Sequence, residues 1–344
     1  LLRYHTFGLK RYTKEMLDYI INITINPKIT QKMIENEHTA VENELLREAN
    51  KRDATLYDVY HKHFYTLEGL QYAFDWKVQI DNLKRLKKKI IDKTFKEYYH
   101  QKNTVFMVSG DFNKHFVLNT FKRYLKKAPN HLCLGNPFTN KSCFSLKKQI
   151  IYVADSSNKT TQLLFGFPTK IHVLHKLYKT LDTGLQIMKN LLFERLRTQL
   201  KLVYGISVNA VVNSCGASVQ IEVFVNDTSA KKVIKEIMGY LRKYKKVLVP
   251  KKHFTSVKTN AKLIARNLSI TPESLATMFL DQYMNQIQEP NKQVNSIQDN
   301  LNNINNITIQ EIKELYNEIF VSEHLLLAYQ SSKNLRISEK HLTI

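Results

Sequence analysis

The feature that most constrains this chain is an internal repeat with a period of about 220 residues. Two segments share one order of signals. The first opens at Tyr12-Thr-Lys-Glu-Met-Leu with a short amphipathic helix begun by Thr13, reaches Asn26-Pro27-Lys28, and enters a helical stretch from about Thr30 to Tyr60. The second runs from Asp227 to Leu241, reaches Val249-Pro250-Lys251, and enters a helical stretch from about His253 to Tyr283. A matching pair of elements follows each stretch. Ile80-Asp-Asn-Leu leads into a helix ending near Tyr98-Tyr99 and then a strand over Thr104–Ser109, while Asp299-Asn-Leu leads into a helix over Ile309–Phe320 and a strand over Leu325–Tyr329. The offset, read from Pro27 to Pro250 or from Asn82 to Asn300, is too long for a solenoid and suits a duplicated domain.

The second copy has a front half that the first lacks. Its predicted strands are Gln149–Val153 and Gln162–Phe167, followed by a helix over Tyr178–Leu200. A hairpin comes next, with Val219, Ile221 and Val223 alternating onto one face and a turn at Asn213-Ser-Cys-Gly216. Subtracting the offset from the start of copy two places the start of copy one about 70 residues before Leu1. The expected architecture is α+β, with a first domain over 1–128 incomplete at its N-terminus, a breaker-rich linker over 129–146, and a second domain over 147–344. The first residue, Leu1 rather than Met, agrees with a natural start upstream, where a targeting segment would lie.

Composition closes off several classes. With 18 Tyr, 17 Phe and 43% hydrophobic residues in 344, the chain can bury enough apolar surface to offset the entropy of ordering, so disorder is excluded. Cys133, Cys143 and Cys215 are too few and too scattered for a thiolate zinc site or a disulfide framework. They are expected as reduced thiols, which favours a reducing, cytoplasmic compartment. The longest apolar runs fall far short of a transmembrane helix. Lys and Arg number 52 against 30 Asp and Glu, a net charge of +22 that invites a nucleic-acid partner. Lys, Asn and Ile are heavily used throughout, however, and the runs at Lys84–Lys89, Arg242–Lys246 and Lys251-Lys252 sit beside apolar helix positions as solvated faces do, so nucleic acid is disfavoured.

On so basic a chain an acidic cluster stands out: Glu35, Glu37, Glu42, Glu44 and Glu48. Glu37, Val41, Glu44 and Glu48 are spaced four, three and four apart, which puts them on one helix face, with Glu37 and Glu44 about 10 Å apart along the axis. Glutamates on a helix are usually a solvated face. Counted from the two prolines, though, Glu37 and Glu44 correspond to Asn260 and Asn267 in the second copy, so only one copy carries the carboxylates.

The segment Glu37-His-Thr-Ala-Val-Glu-Asn-Glu44-Leu resembles the glutamate helix of the pitrilysin/insulinase zinc metallopeptidases, and the order of elements over both copies extends that resemblance to nearly the whole chain. The resemblance implies two homologous α/β-sandwich domains of the pitrilysin/mitochondrial-processing-peptidase type. It also implies an inverted zinc site, in which an H-x-x-E-H helix supplies two His ligands and a general base, and a later Glu supplies the third ligand. On this match Glu44 is that ligand for Zn2+, and Glu37 is a supporting acid that orients the groups around it. No H-x-x-E-H occurs in these 344 residues; counting back from Glu44 puts it about thirty residues before Leu1. His61-Lys-His63 is no substitute, because positions i and i+2 point to different sides of a helix.

In the second copy, Phe193-Glu-Arg-Leu-Arg197-Thr-Gln-Leu-Lys-Leu-Val-Tyr204 resembles the family's signature of an Arg followed seven residues later by a Tyr. There the resemblance implies substrate binding: a guanidinium donates to a substrate carbonyl, and a phenol donates to a developing oxyanion. The ordinary alternative is that Arg197 caps a helix C-terminus and Tyr204 begins a strand as core. The implied activity is metalloendopeptidase hydrolysis of unfolded peptides or precursors inside a chamber of facing domains, the peptide adding to a sheet edge. The implied partners are that peptide and a second two-domain chain, as a homo- or hetero-dimer. A non-catalytic subunit of the same fold is the alternative, and the chain as it stands is expected to be inactive without its metal helix.

Overall fold

Val219, Ile221 and Val223 alternate with Ser218, Gln220 and Glu222, and the strand they form carries its apolar residues, all fully buried, to one face of a sheet and its polar ones to the other. The structure, a computed structural model, describes residues 2–25, 27–126, 143–157, 159–173, 175–213, 215–267, 270–286 and 295–344. Its helices begin with α1 (Thr13–Ile25), α2 (Gln31–Ala49), α3 (Ala54–Phe64), the single turn α4 (Glu68–Gln71), α5 (Trp76–Arg85), α6 (Lys88–Tyr98) and α7 (Lys114–Leu125). Strands β1 (Gln149–Ala154) and β2 (Thr160–Thr169), helix α8 (Tyr178–Phe193), and strands β3 (Val203–Asn213) and β4 (Gly216–Asn226) follow. The chain continues with α9 (Ala230–Lys246), α10 (Lys251–Asn267), α11 (Pro272–Gln286), α12 (Ile297–Asn306), α13 (Ile309–Ile319) and β5 (Leu326–Ser331).

These elements divide into two compact units that interleave along the sequence: Leu1–Arg47 with Lys77–Pro137 and Asn267–Val294, and Glu48–Trp76 with Phe138–Arg266 and Asn295–Ile344. The segment around α3, which the sequence reading places in the first domain, therefore belongs with the sheet of the second unit, and α11 belongs with the first. Most of the linker expected over 129–146 lies outside the described residues.

The second unit is built on a five-stranded mixed sheet in the order β1-β5-β2-β4-β3, with β1 and β5 parallel and the other pairs antiparallel. Leu163, Phe165 and Phe167 of β2 and Val219, Ile221 and Val223 of β4 pack with α8, α9 and α13 into the main core. The opposite face is covered by α3, whose Leu56, Tyr60 and Phe64 recur every four residues and meet Leu164, Leu326 and Ala328. Each of these large side chains, fully buried, is worth roughly 1.5–3 kcal/mol. The stacked rings of Tyr60 and Phe64, 4.9 Å apart, lie against Gly166 of β2, where a Cβ would come within 2.2 Å of the Tyr60 Oη. The hairpin turn falls at Asn213–Gly216 as expected, and Gly216 holds the left-handed φ of +136° there.

In the first unit α1 and α7 share a small core of Leu17, Ile21 and Val117, with Phe106, Val108 and Phe121 packed on it. Phe106 and Val108 face that core while Val105 and Met107 are exposed, so 104–109 keeps the alternation expected of a strand. It is nonetheless not a strand among the described residues, since no neighbour pairs with its backbone.

Three further expectations are corrected. The helical stretch from Thr30 to Tyr60 breaks over 50–53, where Asn50 and Asp53 favour turns over helix, and the stretch from His253 to Tyr283 breaks before Pro272, the first residue of α11. The last turn of the helix over Tyr178–Leu200 is a π-helical turn, Glu194–Gln199. Cys143 and Cys215, expected as reduced thiols, are joined by a disulfide with their Cα atoms 5.9 Å apart. Spacing could not show this, because the fold brings Phe144 into a bridge with Tyr65 beside the hairpin turn. The cysteines thus give no support to a reducing compartment. No helix among the described residues is long and apolar enough to cross a membrane.

Candidate functional site

In the second unit, three backbone irregularities between Glu194 and Gly205 place Arg197 and Tyr204. The α8 helix widens into the π-helical turn, closed by the Leu200 N–H donating to the Arg195 carbonyl at 3.0 Å. Lys201 then adopts a left-handed φ of 51°, a conformation lysine rarely takes. At the start of β3, the edge strand, Val203 pairs with Val225 and Ile206 with Val223, so an extra residue bulges out of the ladder at Tyr204-Gly205. Val203 and Ile206, on either side of the bulge, stay buried. Tyr204 is thrown outward and is 85% exposed.

The guanidinium carbon of Arg197 lies 5.2 Å from the centroid of the Tyr204 ring, and its Nη1 donates to the Val203 carbonyl at 3.5 Å. Arg197 therefore reaches over the bulge rather than back along its own helix. Tyr204 is not core, which removes the ordinary reading of that residue. The pair presents a guanidinium and a phenol side by side on the strand that, among the described residues, edges the sheet, a surface able to donate hydrogen bonds to peptide carbonyls.

In the first unit α2 holds Glu37 and Glu44 on an exposed face with Val41 between them, while His38 on another side lies 3.3 Å from the Leu83 carbonyl and Glu42 lies 3.8 Å from the Lys84 Nζ. Among the described residues neither the Glu37 nor the Glu44 carboxylate forms a hydrogen bond or an ion pair. The structure thus pairs Arg197 with Tyr204 and keeps Glu37 and Glu44 on one helix face.

Zinc fits these residues poorly on their own. A protein zinc site takes three or four donors, and Glu44 offers a single exposed carboxylate. Among the described residues no group of three or more His, Cys, Asp and Glu side chains could hold a metal ion. His61 and His63 serve elsewhere: the Nδ1 of His61 lies 3.0 Å from the Leu70 carbonyl and that of His63 lies 2.8 Å from the Val59 carbonyl, and burial lowers the His61 pKa.

A polar network on the face of the sheet under α3 was not foreseen. Tyr57 donates to Glu222 at 3.0 Å and Gln162 donates to the same carboxylate oxygen at 2.6 Å; burial, then the charge of Glu222, pushes the Tyr57 pKa up. Nearby, Arg52 Nε donates to Asp155 at 2.8 Å, and Gln330 donates to both the Arg52 carbonyl and Asp155. Hydrogen bonds from Ser157, then from Arg52, lower the Asp155 pKa to about 2. The signal was present in the alternation of Ser218, Gln220 and Glu222, polar residues on a strand face that a helix covers.

Residues 85–261, just over half of the chain, match the family model described as the Peptidase M16 inactive domain. The chain belongs to the M16 peptidase family. The matched span includes Arg197 and Tyr204 and leaves Glu37 and Glu44 outside it. Comparison with curated proteins gives no match. Among solved structures, a protease from Helicobacter pylori is 16% identical with a TM-score of 0.78, covering 93% of this chain and 77% of that one. The M16 inactive domain from Pseudomonas fluorescens is 12% identical, also with a TM-score of 0.78, covering 93% of this chain and 75% of that one. The ferredoxin protease FusC, in complex with Arabidopsis ferredoxin, is 14% identical with a TM-score of 0.60, covering 96% of this chain and 38% of its own. These likenesses establish a pitrilysin-like M16 fold, in agreement with the α+β class expected from the sequence.

Proposed function

We propose that this M16 chain handles unfolded peptide for a zinc-dependent endopeptidase, with Arg197 and Tyr204 as the substrate contacts. The observation that carries this reading is the exposure of Tyr204 beneath Arg197 on a bulged edge strand, which leaves the Tyr204 ring outside the core. Glu44 is proposed as one zinc ligand and Glu37 as the acid that orients it, with the remaining ligands supplied from outside the described residues. The fold neighbour FusC, solved with a protein bound, supports a polypeptide substrate. The partner chain is proposed as a second two-domain M16 subunit.

The test has two arms. Binding of a fluorescent unstructured peptide to the 344-residue chain is expected to weaken roughly tenfold in Arg197→Ala and in Tyr204→Ala, as loss of a charge-assisted or ring contact predicts; unchanged binding in both sinks the assignment. For protein expressed from the complete reading frame, zinc content and chelator-sensitive cleavage are expected to fall together in Glu44→Gln, and the zinc assignment fails if both survive. A non-catalytic M16 subunit is the second reading, favoured by the match to the inactive-domain family and by the absence of H-x-x-E-H from these residues. It predicts peptide binding without cleavage.

A further inference from the structure

Between Glu236 and Glu273 the chain carries no acidic residue and nine Lys or Arg. The cations are not spread evenly. Lys243 and Lys246 end α9, Lys251 and Lys252 open α10, and the turn between the two helices is Val247-Leu248-Val249-Pro250. Val249 is buried in the main core and fixes the turn, while Val247 and Leu248 point outward, each 47% exposed. A rigid aliphatic pair is thus ringed by lysines.

Several nearby cations already have partners within the fold. Lys245 donates to the Phe320 carbonyl, Lys258 to the carbonyls of Asn305 and Ile307, and Arg242 to the Thr343 carbonyl, while Lys243 lies over the rings of Tyr240 and Tyr244. The side chains of Lys246, Lys251 and Lys252 are exposed and, among the described residues, form no hydrogen bond or ion pair. Two acids on neighbouring elements are engaged, Glu194 with His253 at 3.0 Å and Glu236 with Arg195 at 2.8 Å, while Glu323 acts on Lys245. Lys251 and Lys252 also sit at the positive end of the α10 dipole, where a lysine is unfavourable unless an anion is near.

We infer that the α9–α10 turn docks onto an anionic lipid bilayer, Val247 and Leu248 entering the headgroup region while Lys246, Lys251 and Lys252 meet lipid phosphates and carboxylates. The combination distinguishes a bilayer from the other polyanion that a basic patch can meet. Nucleic acid is held by cations together with exposed aromatic platforms, and here Tyr244 is buried and Phe254 is taken up by Lys258. Two outward aliphatics gain nothing from a phosphate backbone, whereas a bilayer rewards both them and the lysines around them. A few lysines and one aliphatic pair give a reversible attachment to the surface, without a spanning helix.

The experiment is co-sedimentation of the full chain with phosphatidylserine-rich phosphatidylcholine vesicles against pure phosphatidylcholine, at low and high salt. Binding is expected only to the anionic vesicles and is expected to fall steeply with salt. The triple change of Lys246, Lys251 and Lys252 to Gln is expected to weaken it on the order of a hundredfold, and Leu248→Ser roughly tenfold. All four positions are exposed, and an unchanged circular dichroism spectrum checks each fold. As an independent readout, Leu248→Trp adds an indole to a chain whose only other one is Trp76, and its emission is expected to shift to the blue on anionic vesicles alone. Equal binding to neutral vesicles, no vesicle binding, or displacement by single-stranded RNA or polyphosphate that Leu248→Ser leaves unaltered would each overturn the inference.

Discussion

Gly166→Ala probes how α3 is seated on the sheet. Gly166 lies in the middle of β2, paired with Gln220 on one side and Leu326 on the other, so its backbone cannot move without shearing two ladders. An added Cβ would sit 2.2 Å from the Tyr60 Oη, 2.7 Å from the Tyr60 Cε2 and 2.8 Å from the Phe64 Cε2. Both rings are fully buried and stacked on one another, so neither has an empty direction to move in. Alanine in a strand should gain about 0.5–1 kcal/mol over glycine from the unfolded chain, while overpacking a closed site costs typically 1–3 kcal/mol. With three overlaps the cost belongs at the upper end, leaving a net loss of about 2 kcal/mol.

Tyr60→Phe tests the cause. It removes the closest of the three overlapping atoms and loses only two hydrogen bonds, each 3.4 Å long, to Ser218 and Gln220, worth together under about 1 kcal/mol. The double variant is therefore expected to recover about 1 kcal/mol relative to the sum of the singles. Trp76 reports on this docking through its edge-on contact with Phe74, which stacks on Tyr57 of α3, so its fluorescence in a urea titration is the assay. At roughly 2–3 kcal/mol/M for the urea slope, Gly166→Ala should lower the midpoint by about 0.5–1 M. A higher midpoint for Gly166→Ala, or singles that add within about 0.5 kcal/mol, would refute the steric account.

Cys143→Ser opens a loop of 72 residues, and the chain-entropy model puts its cost at up to about 4 kcal/mol; reductant should lower the thermal midpoint of the native protein and leave the variant's unchanged. Asp155 has its pKa lowered to about 2, so the stability it contributes is present above its ordinary value near 3.8 and is lost as pH falls toward 2. In Asp155→Asn, urea midpoints are therefore expected to lose part of the native protein's decline between pH 4 and pH 2. Thr308 and Glu311 form a reciprocal cap at the start of α13, with the Glu311 N–H donating to the Thr308 hydroxyl at 3.1 Å. Thr308→Ala should lower stability by about 1 kcal/mol, read in the same titration.

Much of the second unit could be read in the sequence because period-2 alternation and turn residues act locally. Val219, Ile221 and Val223 define a face whatever lies across from it, and Gly216 supplies the turn's left-handed residue. The seat of α3 could not be read the same way. The recurrence of Leu56, Tyr60 and Phe64 says that a face is apolar, not which sheet it covers, and the glycine that admits two rings becomes meaningful only when β2 and α3 meet. Thr104–Ser109 shows the converse: its alternation is present in the structure, but a strand also needs a neighbour, which no local pattern supplies. The disulfide depended on a tertiary approach between residues 72 apart. The face of Glu37 and Glu44 followed from helix geometry, whereas the bulge that exposes Tyr204 depends on a register with β4 that the β3 sequence alone does not fix.

That bulge bears on the choice between an ordinary and a functional reading of Arg197 and Tyr204. The bulge itself serves the core, since residues three apart in an unbroken strand face opposite sides and here Val203 and Ile206 are both buried. A regular α-helical end at Glu194–Gln199 and a glycine at position 201 would reach it with less local strain. Instead the chain keeps a π-helical turn, a left-handed lysine and an edge-strand bulge in succession, of which the left-handed lysine alone costs on the order of 1–3 kcal/mol. Their joint effect is to bring a guanidinium over an outward phenol while Val203 and Ile206 stay in the core. On the function proposed above, strain that aims two donor groups at solvent beside an edge strand serves substrate contact. Lys201→Gly turns this into a measurement: it should raise stability by about 1 kcal/mol by relieving the left-handed φ, and loosening the approach to β3 should weaken peptide binding at the same time. Stabilisation with binding unchanged would mean that the strained turn serves something other than Arg197 and Tyr204.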